Sequence, residues 1–436
     1  MLLLTIGLLI ILVLVSYIIF DGDVLAPPTV VSLGLFFSSL CAFYNEENWG
    51  LQFSEETAWT IIIGVLSFII GGVLAIILIN RHHLDKVGFS HRISEVKPLS
   101  VEFQKTLLII LFELLTVYLL YSELRSVTGY SQWIDIVATF RYQTAHVNPE
   151  EYTMKLSGLL KLCMGLSFAI SLIYSYIIGN NIATKQKQQF LNWIPVILSC
   201  VMAFMQGYRS DMLRLWIAIL VVAYILKKRS VGWKRSREIK RLIRKMAFSV
   251  LVVTFIFVSL RGLVGRNIDT DALDHVTFYA GSSVAALDLF LKDPLPSPDI
   301  WGKETFYHLN QSLGAWSKNS ELRYLFYKEF RRSPNGTYIG NIYTALRPPY
   351  YDFGFEGMIL FMVIMGSFFT YFYCKTRDQY GKHPIDFRLL LYSYIAYTFF
   401  MYFYNLYNNF ISPGFIRLVL ELLLIRFFLF DFRWRY

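Results

Sequence analysis

Charged residues are scarce in this chain. Only 17% of its 436 residues are Asp, Glu, Lys or Arg, whereas 55% are hydrophobic. A soluble protein of this size carries more charge on its surface, and runs of about 20 apolar residues, enough to cross a bilayer core, recur along this sequence. The composition therefore excludes a soluble globular protein and predicts an all-α, polytopic membrane protein.

Cysteine is also rare, and several familiar motifs are missing. Four cysteines lie in or at the ends of apolar runs without paired spacing: Cys41, Cys163, Cys200 and Cys374. This pattern supports neither a disulfide framework nor a metal knuckle. The sequence has no P-loop, no HExxH zinc motif, no nucleophile elbow and no internal repeat. We therefore predict chemistry without a metal or cofactor, and no inverted-repeat transporter architecture.

About eleven apolar runs predict transmembrane helices. They cover residues 2–20, 25–44, 57–80, 104–121, 156–178, 190–206, 211–227, 246–261, 353–373, 388–407 and 413–430. The first run has no basic flank and no cleavage site, so we expect a retained helix rather than a signal peptide. The spans form an N-terminal bundle of about eight (1–261) and a C-terminal group of about three (353–436), separated by a large loop with short helices (262–352).

One basic segment orients the predicted spans. Residues 227–245 carry ten Lys and Arg against a single Glu238, and such loops stay cytoplasmic. Alternation then puts the 262–352 loop on the exterior side, while other predicted interior loops, such as 81–103, are basic as required. The net charge of +10 thus reflects topology rather than nucleic-acid binding. The side of the N-terminus stays open.

The long loop is predicted to fold as a small cap on the outer surface. Helical stretches are expected at 277–291 and 321–330, separated by turns rich in Pro, Gly and Asn. Six aromatic residues suit either packing at the membrane interface or binding of sugar faces: Trp301, Phe306, Tyr307, Trp316, Tyr324 and Tyr327. The sequence favours packing but leaves both uses open.

The shortest exterior turn, residues 207–211, is the first candidate anion site. Asp211 and Arg214 are three apart on a helix and can pair. Arg209 would then be able to bind an anionic ligand near the helix N-terminus, where the backbone dipoles favour negative charge. The alternative is that arginines at this depth only extend to the membrane boundary.

A second candidate site lies where the eighth span ends. Arg261 and Arg266 flank a segment with two glycines, which allow the backbone to approach a ligand closely. Guanidinium groups bind phosphate bidentately and stay charged at physiological pH. Arginines that merely flank the membrane are the alternative.

A third candidate site closes the long loop. Pro348 and Pro349 stiffen the chain before the ninth span and hold Arg347 and Asp352 in a defined relation outside the bilayer. In the alternative interpretation, Asp352 is simply the N-cap of that span. All three sites are predicted on the exterior face, and we expect them to converge on one pocket.

Other polar residues are weaker candidates. His275, beside Asp274, can act as a general base or be an ordinary loop histidine. Glu113 lies within a predicted span, and Glu421 lies one turn from Arg417; intramembrane acids suggest function, although a structural partner is equally plausible. Tyrosines on the tenth span can guide an isoprenoid chain or pack against helices, the latter being favoured: Tyr394, Tyr397, Tyr404 and Tyr407.

These segments together resemble the Wzy-type O-antigen or oligosaccharide repeat-unit polymerases. The resemblance is carried by Gly207-Tyr208-Arg209, Arg261 with Arg266, the stretch from Tyr279 to Leu291 with Leu287-Asp288, and Asn341-Ile342-Tyr343-Thr344 through Arg347-Pro348 to Asp352-Phe353-Gly354 and Gly357. It extends over nearly the whole polytopic chain, and the strongest local match is 341–357. It implies a GT-C-like helical architecture shared with O-antigen ligases.

The resemblance also implies an activity and a location. Such an enzyme lies in the bacterial cytoplasmic (inner) membrane and works on its exterior, periplasmic face. It transfers a growing glycan from polyprenyl diphosphate to the acceptor sugar of a new lipid-linked repeat unit, in O-antigen, capsule or exopolysaccharide synthesis. The implied partners are the polyprenyl-diphosphate-linked donor and acceptor, membrane lipid and, in some systems, a chain-length regulator protein.

Roles follow for the candidate residues. Four arginines are predicted to bind the diphosphate, because fixed positive charge stabilises the departing group without a metal: Arg209, Arg261, Arg266 and Arg347. Asp352 and His275 are candidate catalytic bases, and Tyr279, Tyr343 and Asp211 are candidate substrate ligands. The alternatives are an O-antigen ligase-like glycosyltransferase with another acceptor and a non-enzymatic flippase or transporter of lipid-linked oligosaccharides.

Overall fold

The computed structural model describes residues 1–81, 96–146, 155–233, 236–259, 271–324, 327–377 and 384–432. Within these ranges the chain is almost entirely helical. The α-helices are α1 (Leu2–Ile19), α2 (Pro27–Tyr44), α3 (Glu46–Trp49), α4 (Glu55–Arg81), α5 (Phe103–Thr128), α6 (Trp133–His146), α7 (Gly158–Ala183), α8 (Trp193–Met205), α9 (Ser210–Val231), α10 (Arg237–Ser259), α11 (Ala272–Lys292), α12 (Tyr307–Ser317), α13 (Arg347–Arg377), α14 (Phe387–Phe400) and α15 (Pro413–Arg426). Short 3-10 turns lie at Phe190–Asn192 and Glu321–Arg323, a π-helical turn at Phe427–Asp431, and a ribbon of β1 (Arg331–Arg332) and β2 (Tyr338–Gly340).

Six of the described helices are long and apolar enough to cross a membrane: α1, α2, α4, α5, α7 and α13. The prediction of a helical, membrane-embedded protein with several spans is therefore confirmed. The predicted number of eleven is not, since α8, α14 and α15 have only 13, 14 and 14 residues. The helices α9 and α10 have 22 and 23 residues, but both include basic residues that lower their mean hydropathy.

The chain divides into two compact units. The first unit comprises Met1–Gly88, Asp271–Asp378 and Ile395–Pro413, and the second comprises Phe89–Thr270, Gln379–Tyr394 and Gly414–Tyr436. Each unit is thus assembled from stretches far apart in sequence. The predicted division into bundle, loop and C-terminal group follows sequence order instead, and it stays a prediction.

Close backbone contact between α4 and α13 organises the first unit. A Cβ atom on Gly71 would lie 2.1 Å from the carbonyl oxygen of Val363, and one on Gly366 would lie 2.2 Å from that of Phe68. The Ser367 hydroxyl donates a hydrogen bond of 2.9 Å to the Gly71 carbonyl. Small residues allow such approach, which stabilises helix pairs where lipid supplies no hydrophobic driving force.

The predicted 262–352 loop contains substantial regular structure. The helix α11 includes the expected helical stretch 277–291, which is thereby confirmed. The expected helix at 321–330 is wrong, because only a 3-10 turn forms before the described chain becomes extended and enters β1. Antiparallel pairing of Arg331 with Gly340 in β2 satisfies the backbone there instead.

The entry into α13 differs from the predicted one. The helix begins at Arg347, with Pro348 and Pro349 in its first turn, where proline is tolerated. It is interrupted at Gly354, whose φ of 71° and ψ of −173° are open almost only to glycine. The prediction of Asp352 as an N-cap is wrong, because the helix has already begun five residues earlier.

In the second unit, α5, α6, α7 and α8 share an apolar core. Its buried side chains include Leu120, Leu124, Phe140, Met202 and Met205. The unit also contains a buried lysine, Lys105, whose Nζ donates hydrogen bonds of 3.1 and 2.6 Å to the carbonyls of Leu429 and Phe432. Those carbonyls lie at a helix end, where they have no partner within the helix.

Candidate functional site

A fully buried arginine lies at the centre of the most polar region described in the first unit. The Arg347 side chain has no exposed surface, and its Nη2 atom lies 2.9 Å from Glu304 Oε1 and 2.6 Å from Glu329 Oε2. Glu304 is equally buried, whereas the Glu329 side chain is 24% exposed. Burial of three charges is tolerated because each carboxylate pairs with the same guanidinium.

Aromatic rings surround this guanidinium. Its Cζ atom lies 3.8 Å from the ring centre of Tyr343 and 4.6 Å from that of Phe290. The Tyr343 hydroxyl donates a hydrogen bond of 2.9 Å to the Glu329 carbonyl. A cation over aromatic faces is stabilised most where water is excluded, as it is here.

The β-ribbon and the 341–347 segment bring these groups together. Glu329 lies just before β1, and Tyr343 follows β2, so the ribbon returns the chain to the same place. The backbone N–H of Ala345 donates a hydrogen bond of 2.8 Å to the Tyr402 carbonyl, which fixes the segment against the residues after α14. The site is therefore built from stretches that are separate in sequence.

Asp352 holds the backbone on which Glu304 lies. Its carboxylate accepts hydrogen bonds from the N–H groups of Glu304, at 3.2 and 3.1 Å, and of Thr305, at 2.6 Å. Two adjacent backbone donors are thus satisfied by one carboxylate. Asp352 positions the Glu304 loop, rather than capping its own helix as one interpretation of the sequence suggested.

A cavity of about 140 Å³ adjoins this charged cluster. It is lined by residues 304–309, Lys328, Pro348, Asn405, Leu406, Asn408 and Ile411. At roughly 30 Å³ per molecule, this volume corresponds to about four or five waters. Glu304 belongs both to the cluster and to the residues that line the cavity, and its side chain has no exposed surface.

Several polar atoms of the cavity wall have no hydrogen-bond partner among the described residues. They are Glu304 Oε2, Thr305 Oγ1 and both side-chain amide atoms of Asn408. The half-buried Lys328 donates a hydrogen bond of 2.9 Å to Asn405 Oδ1. These unpaired groups are buried and cost free energy in the folded state.

The two carboxylates of the cluster differ in their acidity. Burial raises the pKa of Glu304, although the positive charges of Lys328 and Arg347 oppose the rise. Burial acts in the same direction on Glu329, but there the charge of Arg347 and several hydrogen bonds prevail, and the pKa is lowered. Burial lowers the pKa of Lys328, with Glu304 opposing. Neighbouring acids with pKa values moved apart are typical of sites that transfer protons.

The other predicted residues of the first unit have different surroundings. Tyr343 is fully buried under Arg347, and its hydroxyl is already used in a hydrogen bond. His275 and Tyr279 lie on α11 with ring centres 4.8 Å apart, and both are half-buried. Neither residue lines the cavity.

In the second unit, the expected pair of Asp211 and Arg214 is present. Arg214 Nη1 lies 3.1 Å from Asp211 Oδ1, and its Cζ atom lies 5.0 Å from the ring centre of Tyr394. Arg209 is buried at the N-cap position of α9. Its role in binding an anion stays a prediction.

The predicted convergence of four arginines is not established. Arg261 and Arg266 lie outside the described residues. Arg347 belongs to the first unit and Arg209 to the second. Arg347 Nη2 is paired with two carboxylates, whereas Nε and Nη1 have no hydrogen-bond partner among the described residues. Its role in binding a diphosphate stays a prediction, and the structure adds that it pairs with Glu304 and Glu329.

The weaker candidates have structural partners. Glu421 Oε1 lies 2.7 Å from Arg417 Nε, and Ser171 donates a hydrogen bond of 3.5 Å to the buried Glu113. Packing also explains tyrosines of the tenth predicted span, since the rings of Tyr397 and Tyr407 lie 5.2 Å apart. These observations favour the structural interpretation of each candidate.

The loop aromatics divide between packing and exposure. The Phe306 ring stacks on Trp301 at 5.1 Å and lies 6.0 Å from Phe353, and Tyr324 donates a hydrogen bond of 2.6 Å to the Lys303 carbonyl. Trp316 is exposed. Phe306 and Tyr307 are the two aromatic residues of this set that line the cavity.

The sequence interpretation missed the residues that line the cavity. Glu304, Lys328, Asn405 and Asn408 belong to no motif; Asn405 lies near the end of the predicted span 388–407, and Asn408 follows it. One signal was present for Lys328 and Glu329, because adjacent charges of opposite sign between aromatic residues are unusual in so apolar a chain. Charges in such surroundings are retained where they find partners.

No family model, no curated protein and no solved structure matches this chain. The resemblance to the repeat-unit polymerases therefore rests on the sequence segments described above.

Proposed function

We propose that this protein is a membrane glycosyltransferase that polymerises lipid-linked oligosaccharide repeat units. The observation that carries the proposal is the buried cluster of Arg347, Glu304 and Glu329 beside a cavity. Its arginine, Tyr343 and Asp352 all belong to 341–357, the segment that most resembles the polymerases. Binding sites for ligands are concave and mostly apolar, with a few polar groups such as Lys328 and Asn405 in this cavity.

The chemistry requires an acceptor hydroxyl to attack the anomeric carbon of the donor sugar. The bond from that carbon to the diphosphate breaks, and the diphosphate leaves with the electron pair. Four arginines are the cations proposed to stabilise the leaving group, because preorganised charge lowers the barrier where negative charge develops: Arg209, Arg261, Arg266 and Arg347. Arg347 also pairs with Glu304 and Glu329.

The architecture proposed with this function has eleven spans. Besides the six apolar helices, α8, α9, α10, α14 and α15 would cross the membrane, with a GT-C-like arrangement and the 262–352 segment on the exterior face of a bacterial cytoplasmic membrane. The basic residues at 227–245 support this orientation. The Trp316→Cys variant tests this orientation, because Trp316 is exposed. A maleimide that cannot pass through the membrane is expected to label this cysteine from the exterior side.

The function is tested with the lipid-linked repeat units that accumulate when the gene is deleted. Purified protein should convert them into a ladder of lipid-linked products that differ by one repeat unit. Activity should persist in EDTA, since no divalent metal is required. A single transfer without a ladder would favour the ligase-like alternative, and movement of intact repeat units across vesicles without a new glycosidic bond would favour the flippase alternative.

A further inference from the structure

The basic segment 227–245 divides into two groups of cations with different surroundings. At the end of α9 the cations bind to other groups of the second unit. Lys227 Nζ lies 2.5 Å from Glu238 Oε2, and Arg229 Nη2 lies 2.8 Å from Asp386 Oδ2. These ion pairs within the protein account for the charges at the end of α9 without any ligand.

Five cations on the first half of α10 have no such partners. All five are exposed, and none pairs with an acid in the part of the chain that the structure describes: Arg237, Lys240, Arg241, Arg244 and Lys245. Glu238 is the one acid in the sequence of α10, and it is bound by Lys185 as well as by Lys227, the former at 2.8 Å. This acid therefore fastens α10 to neighbouring segments of its unit and does not compensate the five charges.

The five cations share one face of α10. At about 100° per residue, they fall within an arc of about 140° around the helix axis. The same arc continues in the second half of the helix as exposed apolar residues, Phe248, Leu251 and Phe255. On the opposite face Ile239 and Leu242 are buried, and α10 packs against α9. The outward face is thus cationic at one end and apolar at the other.

This pattern matches the chemistry of an anionic phospholipid. Lys and Arg side chains bind phosphate oxygens through charge-assisted hydrogen bonds, and acyl chains cover exposed apolar helix surface. A soluble acidic partner would compensate the charges, but it would leave the apolar half of the same face in water. The preference of basic loops for the cytoplasm explains the sign of the charges, but it does not require them to align on one face of a helix.

We propose that this face of α10, residues 237–256, binds anionic phospholipid from the membrane leaflet next to its N-terminus. The headgroup phosphates contact the five cations, and the acyl chains lie along Phe248, Leu251 and Phe255. The inference is independent of the proposed function, since it involves no residue assigned to glycosyl transfer. Each basic residue near an anionic membrane surface contributes about fivefold in affinity, so three of them contribute about 100-fold.

The test is native mass spectrometry of the full-length protein in detergent. The protein is titrated with phosphatidylglycerol or with phosphatidylcholine that has the same acyl chains, and the affinity for each lipid is measured. Wild type should prefer phosphatidylglycerol. The variant with Lys240→Gln, Arg241→Gln and Arg244→Gln should bind phosphatidylglycerol more weakly by up to about 100-fold, whereas its affinity for phosphatidylcholine should not change.

Two control variants separate the helix face from net charge. The variant with Arg125→Gln, Lys155→Gln and Lys161→Gln also loses three exposed cations of the second unit, but from other segments, and it should keep the preference for phosphatidylglycerol. The variant with Arg241→Lys and Arg244→Lys keeps the charge of the face and should bind as wild type does. Size-exclusion profiles and circular dichroism establish that the variants fold.

Two measurements on wild type test the proposal without any variant. Added salt should weaken the binding of phosphatidylglycerol and leave that of phosphatidylcholine unchanged, because salt screens exposed charges. Phosphatidylglycerol with a photoactivatable group in an acyl chain should label the peptide that contains Phe248 and Phe255. Labelling confined to other helices would place the bound lipid elsewhere and overturn the assignment of this face.

The remaining outcomes are equally decisive. Equal affinity of wild type for the two lipids overturns the proposal. Equal losses in the α10 variant and in the variant with three charges removed elsewhere overturn it too, because only net charge would then matter. If a soluble polyglutamate peptide binds to wild type, weakens on substitution in α10, and no lipid preference exists, the face docks an acidic protein segment instead of a lipid.

Discussion

Arg347 and Arg214 are two buried arginines that meet the same kinds of partner in different ways. Each pairs with acid and lies over an aromatic ring, Tyr343 at 3.8 Å for one and Tyr394 at 5.0 Å for the other. Arg214 finds its acid three residues away on the same helix. The carboxylates of Arg347 come from 43 and 18 residues away.

The sequence separation of the paired residues distinguishes a local contact within one helix from a cluster that tertiary folding assembles. The pair in α9 forms wherever that helix forms, and its acid is 39% exposed, so water screens the interaction. The Arg347 cluster exists only when α11, the ribbon and α13 come together, and it excludes water. Long-range assembly and burial are the conditions under which charges acquire unusual acidity and can serve chemistry.

Replacement of Arg347 should have the largest effect. Arg347→Met leaves two buried or half-buried carboxylates without their cation and should cost about 3–5 kcal/mol of unfolding free energy. Reversible denaturation in detergent micelles measures this loss. Arg214→Met is the matched control and should cost much less, since its acid can turn to solvent. Equal losses of unfolding free energy in the two variants would show that the buried cluster and the local pair contribute equally to stability.

Acid should affect the two carboxylates of the cluster in opposite ways. The lowered pKa of Glu329 stabilises the fold above the ordinary carboxyl pKa, about 4.3, and this contribution is lost as pH falls through the lowered value. The raised pKa of Glu304 contributes stability below the ordinary value, which is lost as pH rises through the raised one. Glu329→Gln should therefore flatten the loss of stability in acid, and Glu304→Gln should not. Denaturation at a series of pH values measures both slopes.

Removal of one hydroxyl tests how tightly the ribbon is held against Arg347. Tyr343→Phe keeps the ring under the guanidinium but loses the hydrogen bond to the Glu329 carbonyl, at a cost of about 0.5–1.5 kcal/mol. Tyr343→Leu also removes the cation–π contact and should cost more. Identical stabilities of the Phe and Leu variants would show that the ring contributes only bulk.

The smallest effect is expected at the local pair. Asp211→Asn removes an ion pair whose acid is partly exposed, so the unfolding free energy should fall by only about 0.2–1 kcal/mol. Added salt should reduce the difference between wild type and variant further. A loss as large as that of Arg347→Met would mean that Asp211 belongs to a buried network rather than to a local pair.

Much of the helical architecture could be predicted from apolar runs, because a membrane demands long, continuous hydrophobic segments. The helix at 277–291 and the Asp211–Arg214 pair follow from local periodicity. The helix expected at 321–330 was wrong because strand pairing between Arg331 and Gly340 is not visible in local propensity. The short helices α14 and α15 show that an apolar run does not set helix length.

The candidate site was only partly accessible to the same reasoning. Arg347, Asp352 and Tyr343 were singled out, but as groups facing a ligand. In the structure Arg347 and Asp352 contact Glu304, a residue that no motif marked, and the roles predicted toward a ligand stay predictions. The residues that contact Arg347 are determined by which loop packs against which helix. That information is spread over the whole chain.

The sequence alone therefore determined that the protein is embedded in a membrane, that it is helical, and which local pairs it forms. These properties depend on composition and on spacings of a few residues. The tertiary structure alone decided which carboxylates surround Arg347. The reason is physical: hydrophobicity and helical periodicity act over short segments, whereas burial of charge depends on contacts between segments that only folding brings together.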